Sequence, residues 1–400
     1  MQIEKFHIYV CQIPFRFTLQ HALHESSSVL SLFVKVHCDN GVVGFGEAVP
    51  RHYVTKETIA SEFSGIKQAA ILFVQQTYKD EAELMRAIRE IKPFGAGQAA
   101  LELALLDAGG KYFHKTIPQL LGRPVVRDSI KYSGGILHGS LLKVVKFALM
   151  MKKWGFSDIK VKVGLAHDFL VLLLTRLILG RSVHLRIDAN GGWQPKEAIN
   201  KIRKMKKWFR IEAAEQPTGL INEVDNALKL KEVSDAVDIP VMADESIGTM
   251  ESARYLAKNK CCDMFNIRIS KHGGILQALA IYDIAKAHGI GCQLGAHIGE
   301  SGVLAAAGQN FASMVEDLRY AEGGGGGDWL FPEPIINENL MPGKEGKARI
   351  VTGEGLGITV NETVLKKYSL QIETVDVSTV REYNVVCQLL PKLYQEPITT

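Results

Sequence analysis

The sequence predicts an α/β protein whose larger part is a parallel β/α barrel, preceded by an α+β unit. From about residue 130 onward, short apolar segments that favour strands alternate with helical segments. Polar residues close successive strands at intervals of 26 to 29 residues between Lys162 and His297, which is about the length of one β/α unit. Because a sheet that wound back and forth would rarely place charge at every strand end, the barrel is the better prediction.

Length and composition are those of a large globular protein. The chain has 400 residues, of which 46% are hydrophobic and 22% charged, and this excludes a disordered chain. Its net charge of +4, from 47 basic and 43 acidic residues, is too even to indicate nucleic-acid binding. The apolar runs are too short for a membrane span, and the N-terminus lacks the order of a secretory signal. With six cysteines and no CxxC pair, the sequence favours a cytoplasmic protein with reduced thiols.

The α+β unit is predicted over residues 1–125. Segments 3–10, 29–36 and 42–46 favour strands, and a turn at 38–41 joins the last two. Helical patterns follow at about 56–76, 80–90 and 96–113. Strands followed by helices without alternation are typical of an α+β unit.

The barrel is predicted over residues 126–330. Its eight candidate strands are 130–133, 158–163, 183–188, 211–214, 239–243, 263–269, 290–294 and 318–321. In the second of these, apolar and basic residues alternate, so that Lys160 and Lys162 face the same side. A surface edge strand would explain such a pair outside a barrel. Inside a barrel, inward-facing lysines need carboxylate partners, which favours a functional site.

Three carboxylates close three consecutive predicted strands: Asp188, Glu215 and Asp244. A carboxylate after a strand often caps a helix or makes a turn. Three on neighbouring strands, however, would repel one another without a counter-ion. Three oxygen ligands that leave positions open suit Mg²⁺, with Mn²⁺ as an alternative, and the lack of His or Cys at these positions argues against zinc.

A second lysine is predicted to face the first across the barrel. Counting by two from Asn266 places Arg268 inward, and Lys271 turns in from the following loop. Lys162 and Lys271 would then lie on opposite sides of the carboxylates, where they could remove and return a proton on opposite faces of one carbon. Neighbouring cations and partial burial would lower a lysine pKa toward the working pH.

His297 and Glu300 follow the seventh predicted strand. We interpret His297 as a hydrogen-bonding residue, with direct acid/base chemistry as the less favoured alternative. Glu300 is expected to orient Lys271.

These motifs resemble the enolase superfamily, specifically the muconate-lactonizing subgroup of the mandelate racemase/muconate lactonizing enzyme family, and are similar to those of dipeptide epimerases. The matching motifs are Lys160-Val161-Lys162, Asp188-Ala189-Asn190, Glu215-Gln216-Pro217, Ala243-Asp244-Glu245-Ser246 and Lys271-His272-Gly273-Gly274. The resemblance covers about residues 1–372. It implies a modified (β/α)8 TIM-type barrel with an N-terminal α+β capping domain. Loops at about 15–28 and 50–58, which contain His21, His24, Arg51, His52 and Tyr53, would set substrate specificity, and segment 331–400 would return to the cap.

The resemblance also implies roles for individual residues. Asp188, Glu215 and Asp244 would bind the metal, and Lys162 and Lys271 would be the acid/base pair. Lys160 would add positive charge near the substrate carboxylate. The residues that would support these groups or bind substrate are Asn190, Glu245, Arg268, His297, Glu300 and Glu322.

The reaction implied is metal-dependent removal of a proton α to a carboxylate through an enediolate intermediate. Racemisation or epimerisation of an amino-acid derivative or a dipeptide is the leading hypothesis. A muconate-type cycloisomerase or an o-succinylbenzoate-synthase-like dehydratase is the alternative within the fold, and a non-catalytic ligand-binding barrel is the alternative from another class. The implied partner is a small carboxylate substrate, without nucleic acid or membrane, and family members tend to form homo-oligomers.

Two positions depart from the family pattern. Dipeptide-specific members usually end the eighth strand with an Asp-x-Asp pair that holds the substrate amino group, where this chain has Ala321-Glu322-Gly323-Gly324. Arg268 stands where a lysine is frequent, and the two side chains are not interchangeable.

Overall fold

Strands from residues 3–48 and from residues 369–375 form one antiparallel sheet. In the computed structural model, which describes residues 1–21, 24–52, 57–165, 167–219, 223–327 and 329–382, β1 (Ile3–His21) lies between β2 (His24–Cys38) and β14 (Ser369–Val375). The short strand β3 (Val43–Ala48) pairs with the other edge of β2. The predicted turn at 38–41 is confirmed, since Gly41 donates its backbone N–H to the Cys38 carbonyl.

The β1–β2 hairpin is much longer than the sequence predicts. Residues 15–21 and 24–28, predicted as part of a substrate loop, continue the two strands, with Leu19 opposite Ser26. The extension is held from outside the hairpin. The Phe15 ring stacks on Phe331 at a centroid distance of 6.1 Å, and the backbone N–H of Arg16 donates to the Leu330 carbonyl at 2.8 Å. These residues are therefore strands and not a loop as predicted, because distant contacts stabilise them. Their role in substrate specificity stays a prediction.

Helices of the N-terminal unit cover the sheet. They are α1 (Ile59–Ile71), α2 (Glu81–Arg89), α3 (Gly97–Tyr112) and α4 (Ile117–Leu121). Helix α3 is buried almost throughout and lies directly on β3. This close approach requires glycine: a Cβ atom on Gly44 or Gly46 would come within 2.3 Å or 2.0 Å of the carbonyl oxygens of Ala104 and Ala100.

Eight parallel strands form a curled sheet in which chain order and spatial order agree. They are β5 (Gly134–Ile136), β6 (Asp158–Lys162), β7 (His184–Asp188), β8 (Ile211–Glu215), β9 (Val241–Ala243), β10 (Met264–Ile267), β11 (Gly291–Leu294) and β12 (Leu318–Ala321). The helices between them are α5 (Leu141–Trp154), α6 (Asp168–Leu179), α7 (Pro195–Phe209), α8 (Glu223–Ala236), α9 (Met250–Lys258), α10 (Ile275–Ala287) and α11 (Gly302–Ser313). A bond of 2.8 Å from the Ser133 N–H to the Ala321 carbonyl brings the two ends of the sheet together. The predicted barrel is thus confirmed.

The first barrel strand lies later in the chain than predicted. Residues 129–131 form β4 (Ser129–Lys131), which pairs with β13 (Lys347–Arg349) in a separate two-stranded sheet. The strand that joins the barrel is β5, which pairs with β6. A side chain at its first residue would displace a neighbour, because a Cβ atom on Gly134 would meet the Met151 sulfur at 2.5 Å. Glycine gives no strand signal, so the apolar pattern selected the wrong segment.

Two buried carboxylates of the N-terminal unit cap helices of the barrel. Glu47 accepts the backbone N–H groups of Ser301 and Leu304 at 3.0 Å and 3.2 Å, at the start of α11. Glu102 accepts the N–H of Leu276 at 3.1 Å, at the start of α10. Burial raises the pKa of Glu47 to about 7 and that of Glu102 to about 8, and the N–H bonds oppose this change. These contacts fix the N-terminal unit to the barrel beside β10 and β11.

A short helix, α12 (Glu362–Lys367), leads the chain back into β14.

The five cysteines within the described residues are buried and form no disulfide. Among the helices of those residues, none has the length and apolar character needed to cross a membrane.

Candidate active site

The candidate active site lies at the carboxyl ends of the barrel strands. Three neighbouring strands are in register here, with Lys162 on β6 opposite Asp188 on β7, and Asp188 opposite Glu215 on β8. Asp244 follows directly after β9. The three carboxylates are buried, so the structure brings together the side chains that the strand spacing predicts.

Cations separate these carboxylates. The Lys160 Nζ atom lies 3.3 Å from both Asp188 and Glu215. Arg268 bonds Asp244, and its Nη2 atom is 3.8 Å from Glu215 Oε1. Within the described part of the chain, therefore, no group of three acidic, histidine or cysteine side chains is already arranged to bind a metal ion.

The donor atoms around the carboxylates nevertheless fit a hard divalent cation. Glu245 Oε2 and Asn266 Oδ1 are buried and accept no hydrogen bond. Burial, followed by the charge of Asp188, raises the pKa of Glu215 to about 8, so the charged form of this carboxylate is poorly stabilised without a further cation. Buried oxygen atoms with unused acceptor capacity are the ligand type that Mg²⁺ prefers.

The two aspartates differ from Glu215 in their electrostatic environment. Burial alone would raise the pKa of Asp188, but Lys162 and Lys160 outweigh burial and lower it. In the same way, Arg268 and Lys271 lower the pKa of Asp244. Both aspartates are therefore held as carboxylates.

Lys162 lies on the Asp188 side of the cluster. Its ammonium donates to Asp188 Oδ2 and to Asn190 Oδ1, each at 2.6 Å. The Asn190 amide in turn donates to Glu245 Oε1 at 3.0 Å. Asn190 thus joins the lysine to the ends of β7 and β9.

Lys271 lies on the Asp244 side and is fully buried. Its ammonium donates to the carbonyl of Asp244 at 2.7 Å, to Asp244 Oδ1 at 2.8 Å and to the Asn266 carbonyl at 3.3 Å. Burial, supported by the charge of Arg268, lowers the pKa of Lys271 even though Asp244 opposes the change. Glu300, which was expected to orient Lys271, does not bond its ammonium: Glu300 Oε1 accepts the backbone N–H of His297 at 2.7 Å, and Lys271 donates to Asp244 and Asn266.

A buried arginine that the sequence analysis did not single out supports Lys160. Glu322 Oε2 accepts from Lys160 at 2.7 Å, and Glu322 Oε1 accepts from Arg186 at 2.5 Å. Arg186 is only 1% exposed and also bonds Asp158 and, at 2.9 Å, Ser133. It precedes Asp188 by two residues on one strand, and this spacing was the signal that could have revealed it. Burial would lower the pKa of Lys160, but Glu215 and Glu322 outweigh burial and raise it.

The backbone of Asp244 is held by Gln216, another residue to which the sequence assigned no role. Gln216 Oε1 accepts the N–H of Asp244 at 3.0 Å, and its amide donates to Ser246 Oγ at 2.7 Å. Gln216 therefore fixes the position of the carboxylate that follows β9.

His297 is a buried histidine at the site. The residue is only 6% exposed, neither ring nitrogen makes a hydrogen bond, and Nδ1 lies 4.0 Å from Glu300 Oε1. Burial, followed by the charges of Arg268 and Arg51, lowers its pKa well below the usual value. The ring is therefore neutral, with one N–H donor and one acceptor nitrogen unused.

The N-terminal unit reaches the site through residues 49–51. The backbone N–H of Val49 donates to Ser270 Oγ at 2.9 Å, and Arg51 donates to the Ile298 carbonyl. His52 is exposed, whereas Tyr53 lies outside the described residues. His21 and His24 are described in their backbones alone, at the far end of the β1–β2 hairpin.

Two family models match the chain. The model of the mandelate racemase/muconate lactonizing enzyme N-terminal domain matches residues 6–122, and the enolase C-terminal domain-like model matches residues 143–364. The chain is 33% identical over 315 residues to the L-Ala-D/L-Glu epimerase of Bacillus subtilis, covering 76% of this chain and 83% of that protein. It is 25% identical over 383 residues to the N-succinyl-L-Arg/Lys racemase of Bacillus cereus, covering 92% and 98%.

Solved structures of such enzymes share the fold. The N-succinyl Arg/Lys racemase of Bacillus cereus superimposes with a TM-score of 0.85 at 24% identity, covering 94% of this chain and 100% of that one. The dipeptide epimerase of Enterococcus faecalis, complexed with Mg and the dipeptide L-Leu-L-Tyr, gives a TM-score of 0.79 at 26% identity, covering 90% and 100%. All three relatives are isomerases acting on amino-acid derivatives or dipeptides.

Proposed function

Since the chain belongs to the mandelate racemase/muconate lactonizing enzyme family of isomerases in the enolase superfamily, we propose that it racemises or epimerises an amino-acid derivative or a dipeptide. The observation that carries this proposal is the placement of two lysines. Lys162 ends β6 and Lys271 follows β10, which are the second and sixth of eight strands and so stand half a turn of the barrel apart. An α-carbon held between them has one lysine on each face.

Each lysine handles the proton of one enantiomer. The neutral amine of one lysine takes the α-proton, and the ammonium of the other returns a proton to the opposite face, which inverts the centre. The lowered pKa of Lys271 supports this role, because it increases the fraction of neutral amine near neutral pH.

We expect Asp188, Glu215 and Asp244 to hold Mg²⁺, with Mn²⁺ as an alternative. A divalent cation there would supply positive charge where negative charge develops on the substrate carboxylate. The Mg in the Enterococcus faecalis structure supports this expectation. Lys160 and Arg268 add fixed positive charge on the same side.

The groups around the site favour a substrate whose α-nitrogen is part of an amide. Both oxygens of Glu322 are engaged by Lys160 and Arg186, so this carboxylate is not free to hold a substrate ammonium. The neutral ring of His297 offers one donor and one acceptor nitrogen, and either could bond an amide of the substrate. A dipeptide and an N-acylated amino acid both present such an amide, but only the dipeptide adds a free amino group. Because Glu322 is engaged, we favour the N-acylated amino acid.

The other hypotheses receive less support. The relatives described above are epimerases and a racemase, so a cycloisomerase or a dehydratase is the weaker candidate. A non-catalytic barrel does not explain why both lysines and all three carboxylates are retained. A cytoplasmic location, a homo-oligomeric state and the absence of a nucleic-acid partner stay predictions.

Exchange of the α-hydrogen in D₂O tests the two-lysine proposal. With Mg²⁺ and each enantiomer of N-acyl amino acids and dipeptides, Lys271→Ala should incorporate deuterium only into the enantiomer that faces Lys162. Lys162→Ala should do so only with the other enantiomer, and neither variant should invert the centre. Lys201→Ala, a change on the outer helix α7, serves as the control and should behave like the unaltered protein. Loss of exchange with the same enantiomer in both variants, or full turnover in one of them, would contradict the proposal.

A further inference from the structure

An apolar and basic surface runs along two neighbouring outer helices of the barrel. Helices α5 and α6 pack side by side, and both are described over their whole length. Their exposed large apolar side chains are Leu142, Leu149, Trp154, Leu170, Leu173 and Leu177. Leu142 is 82% exposed and Leu177 is 70% exposed, so these side chains do not belong to the barrel core.

The α6 residues form a continuous row. Leu170, Leu173 and Leu177 follow one another at helical spacing on the solvent side, whereas Leu172 and Leu179 are buried against the barrel. A contiguous apolar surface of this kind marks an interaction site.

Lysines stand within the same surface. The exposed cations of α5 are Lys143, Lys146, Lys152 and Lys153. Helix α5 contains no acidic residue, and the single acidic residue of α6, Asp168, is buried. We call these six apolar and four basic side chains the leucine–lysine face.

We infer that the leucine–lysine face docks on an anionic lipid surface. Lysines at a membrane interface extend their ammonium groups to lipid phosphates while neighbouring leucines enter the acyl boundary. Trp154, at the end of α5, is of the type that favours this interfacial region. The sequence predicts no membrane partner because no apolar segment is long enough to span a membrane. That reasoning does not apply to a protein surface that lies on a membrane without crossing it.

Charge disfavours a second copy of the chain as the occupant. On α5, Lys146 and Lys153 lie between apolar residues at the middle of the exposed side, not at its edge. A two-fold contact through this face would bring the lysines of both copies together without an exposed carboxylate on either helix. Lysine is also depleted at protein–protein interfaces.

Sedimentation of the full chain with vesicles tests the inference. We expect binding to vesicles of phosphatidylcholine with about one third phosphatidylglycerol, none to phosphatidylcholine alone, and release at high salt. Lys146→Gln and Lys153→Gln should each weaken binding about fivefold. Leu142→Ser with Leu177→Ser should weaken binding further, while Leu72→Ser, a 68% exposed leucine at the end of α1, serves as the matched control.

Molar mass in solution, measured over a range of protein concentrations, distinguishes the alternative occupant. If Leu177→Ser lowers the molar mass, and neither the unaltered protein nor any variant binds vesicles, a second copy covers the leucine–lysine face and the inference is wrong. Equal binding to neutral and anionic vesicles, or equal loss in the Leu72→Ser control, also overturns it. Unchanged molar mass together with selective loss of vesicle binding supports it.

Discussion

Glu322 Oε2 lies 2.7 Å from the Nζ atom of Lys160, and the same carboxylate binds Arg186 through its other oxygen. The carboxylate that directly follows β12 thus joins a lysine of β6 to an arginine of β7. Because Arg186 also bonds Ser133 just before β5, these contacts cross the place where the two ends of the sheet meet. The position of Lys160 in the site therefore depends on the closure of the barrel.

Replacing Arg186 should cost stability and displace Lys160. In Arg186→Met, Asp158 and Glu322 lose a buried partner, so we expect a loss of about 3 kcal/mol in the free energy of unfolding by urea. The control is Arg123→Met, which removes the exposed pair with Asp283 and should cost less than about 1 kcal/mol. Equal losses of unfolding free energy in the two variants would show that the buried contacts of Arg186 stabilise the protein no more than the exposed pair does.

Metal binding should depend on the three strand-end carboxylates. Calorimetric titration with Mg²⁺ or Mn²⁺ should detect binding in the unaltered protein and none in Asp244→Asn, while both proteins remain folded by circular dichroism. Metal should also raise the unfolding temperature of the unaltered protein only. Asp263→Asn, which changes a carboxylate at the opposite end of the barrel strands, is the control. Undiminished affinity in Asp244→Asn would contradict the assignment.

The pH dependence of stability should reveal a pair of histidines in the N-terminal sheet. His37 Nε2 lies 3.0 Å from His7 Nδ1, and burial, followed by the charge of Lys35, lowers the pKa of His37 to about 4. Between pH 6.5 and this value the unfolded chain binds more protons than the folded one, so stability falls as the pH falls. Since the ring is partly solvated, we expect a loss of about 1–2 kcal/mol over this window.

The variant His37→Asn should flatten this dependence, which urea unfolding at a series of pH values would measure. His288→Asn, a change at an exposed position after α10, should leave the slope unaltered. A slope that is the same in all three proteins would assign the acid sensitivity to other groups.

Removing the carboxylate of Glu47 should weaken the attachment of the N-terminal unit to the barrel. Glu47→Ala leaves the N–H groups of Ser301 and Leu304 without their acceptor, and we expect a loss of about 1–3 kcal/mol in the free energy of unfolding. Glu47→Gln keeps an acceptor oxygen and should lose less. The exposed Glu4→Ala is the control. A loss in Glu47→Gln as large as in Glu47→Ala would mean that charge, not hydrogen bonding, is what matters.

The barrel and the ends of its strands could be predicted because both depend on local periodicity. Strand and helix alternate along the chain, and the carboxyl ends of parallel strands meet at one edge. The spacing from Lys162 to Asp188 and Glu215 therefore placed three residues side by side before any contact was known.

Features that depend on distant contacts could not be predicted. Strand β5 begins with two glycines and gives no apolar pattern, and its position follows from packing against α5 and β6. The outer part of the β1–β2 hairpin has a loop-like composition, but contacts with residues 330–331 hold it as strands. The partners of Glu322 and Glu300 likewise depend on which side chains converge in space, which spacing does not reveal.

The participation of β14 in the first sheet has a consequence for synthesis on the ribosome. Strand β1 pairs with β2 on one side, but its partner on the other side begins at Ser369. The nascent chain must therefore carry β1 with an open edge while the whole barrel is made. Open strand edges favour pairing with other chains. A chain that ended before β14 would carry an exposed edge on β1, so the pairing of β14 removes a site at which other chains could add a strand.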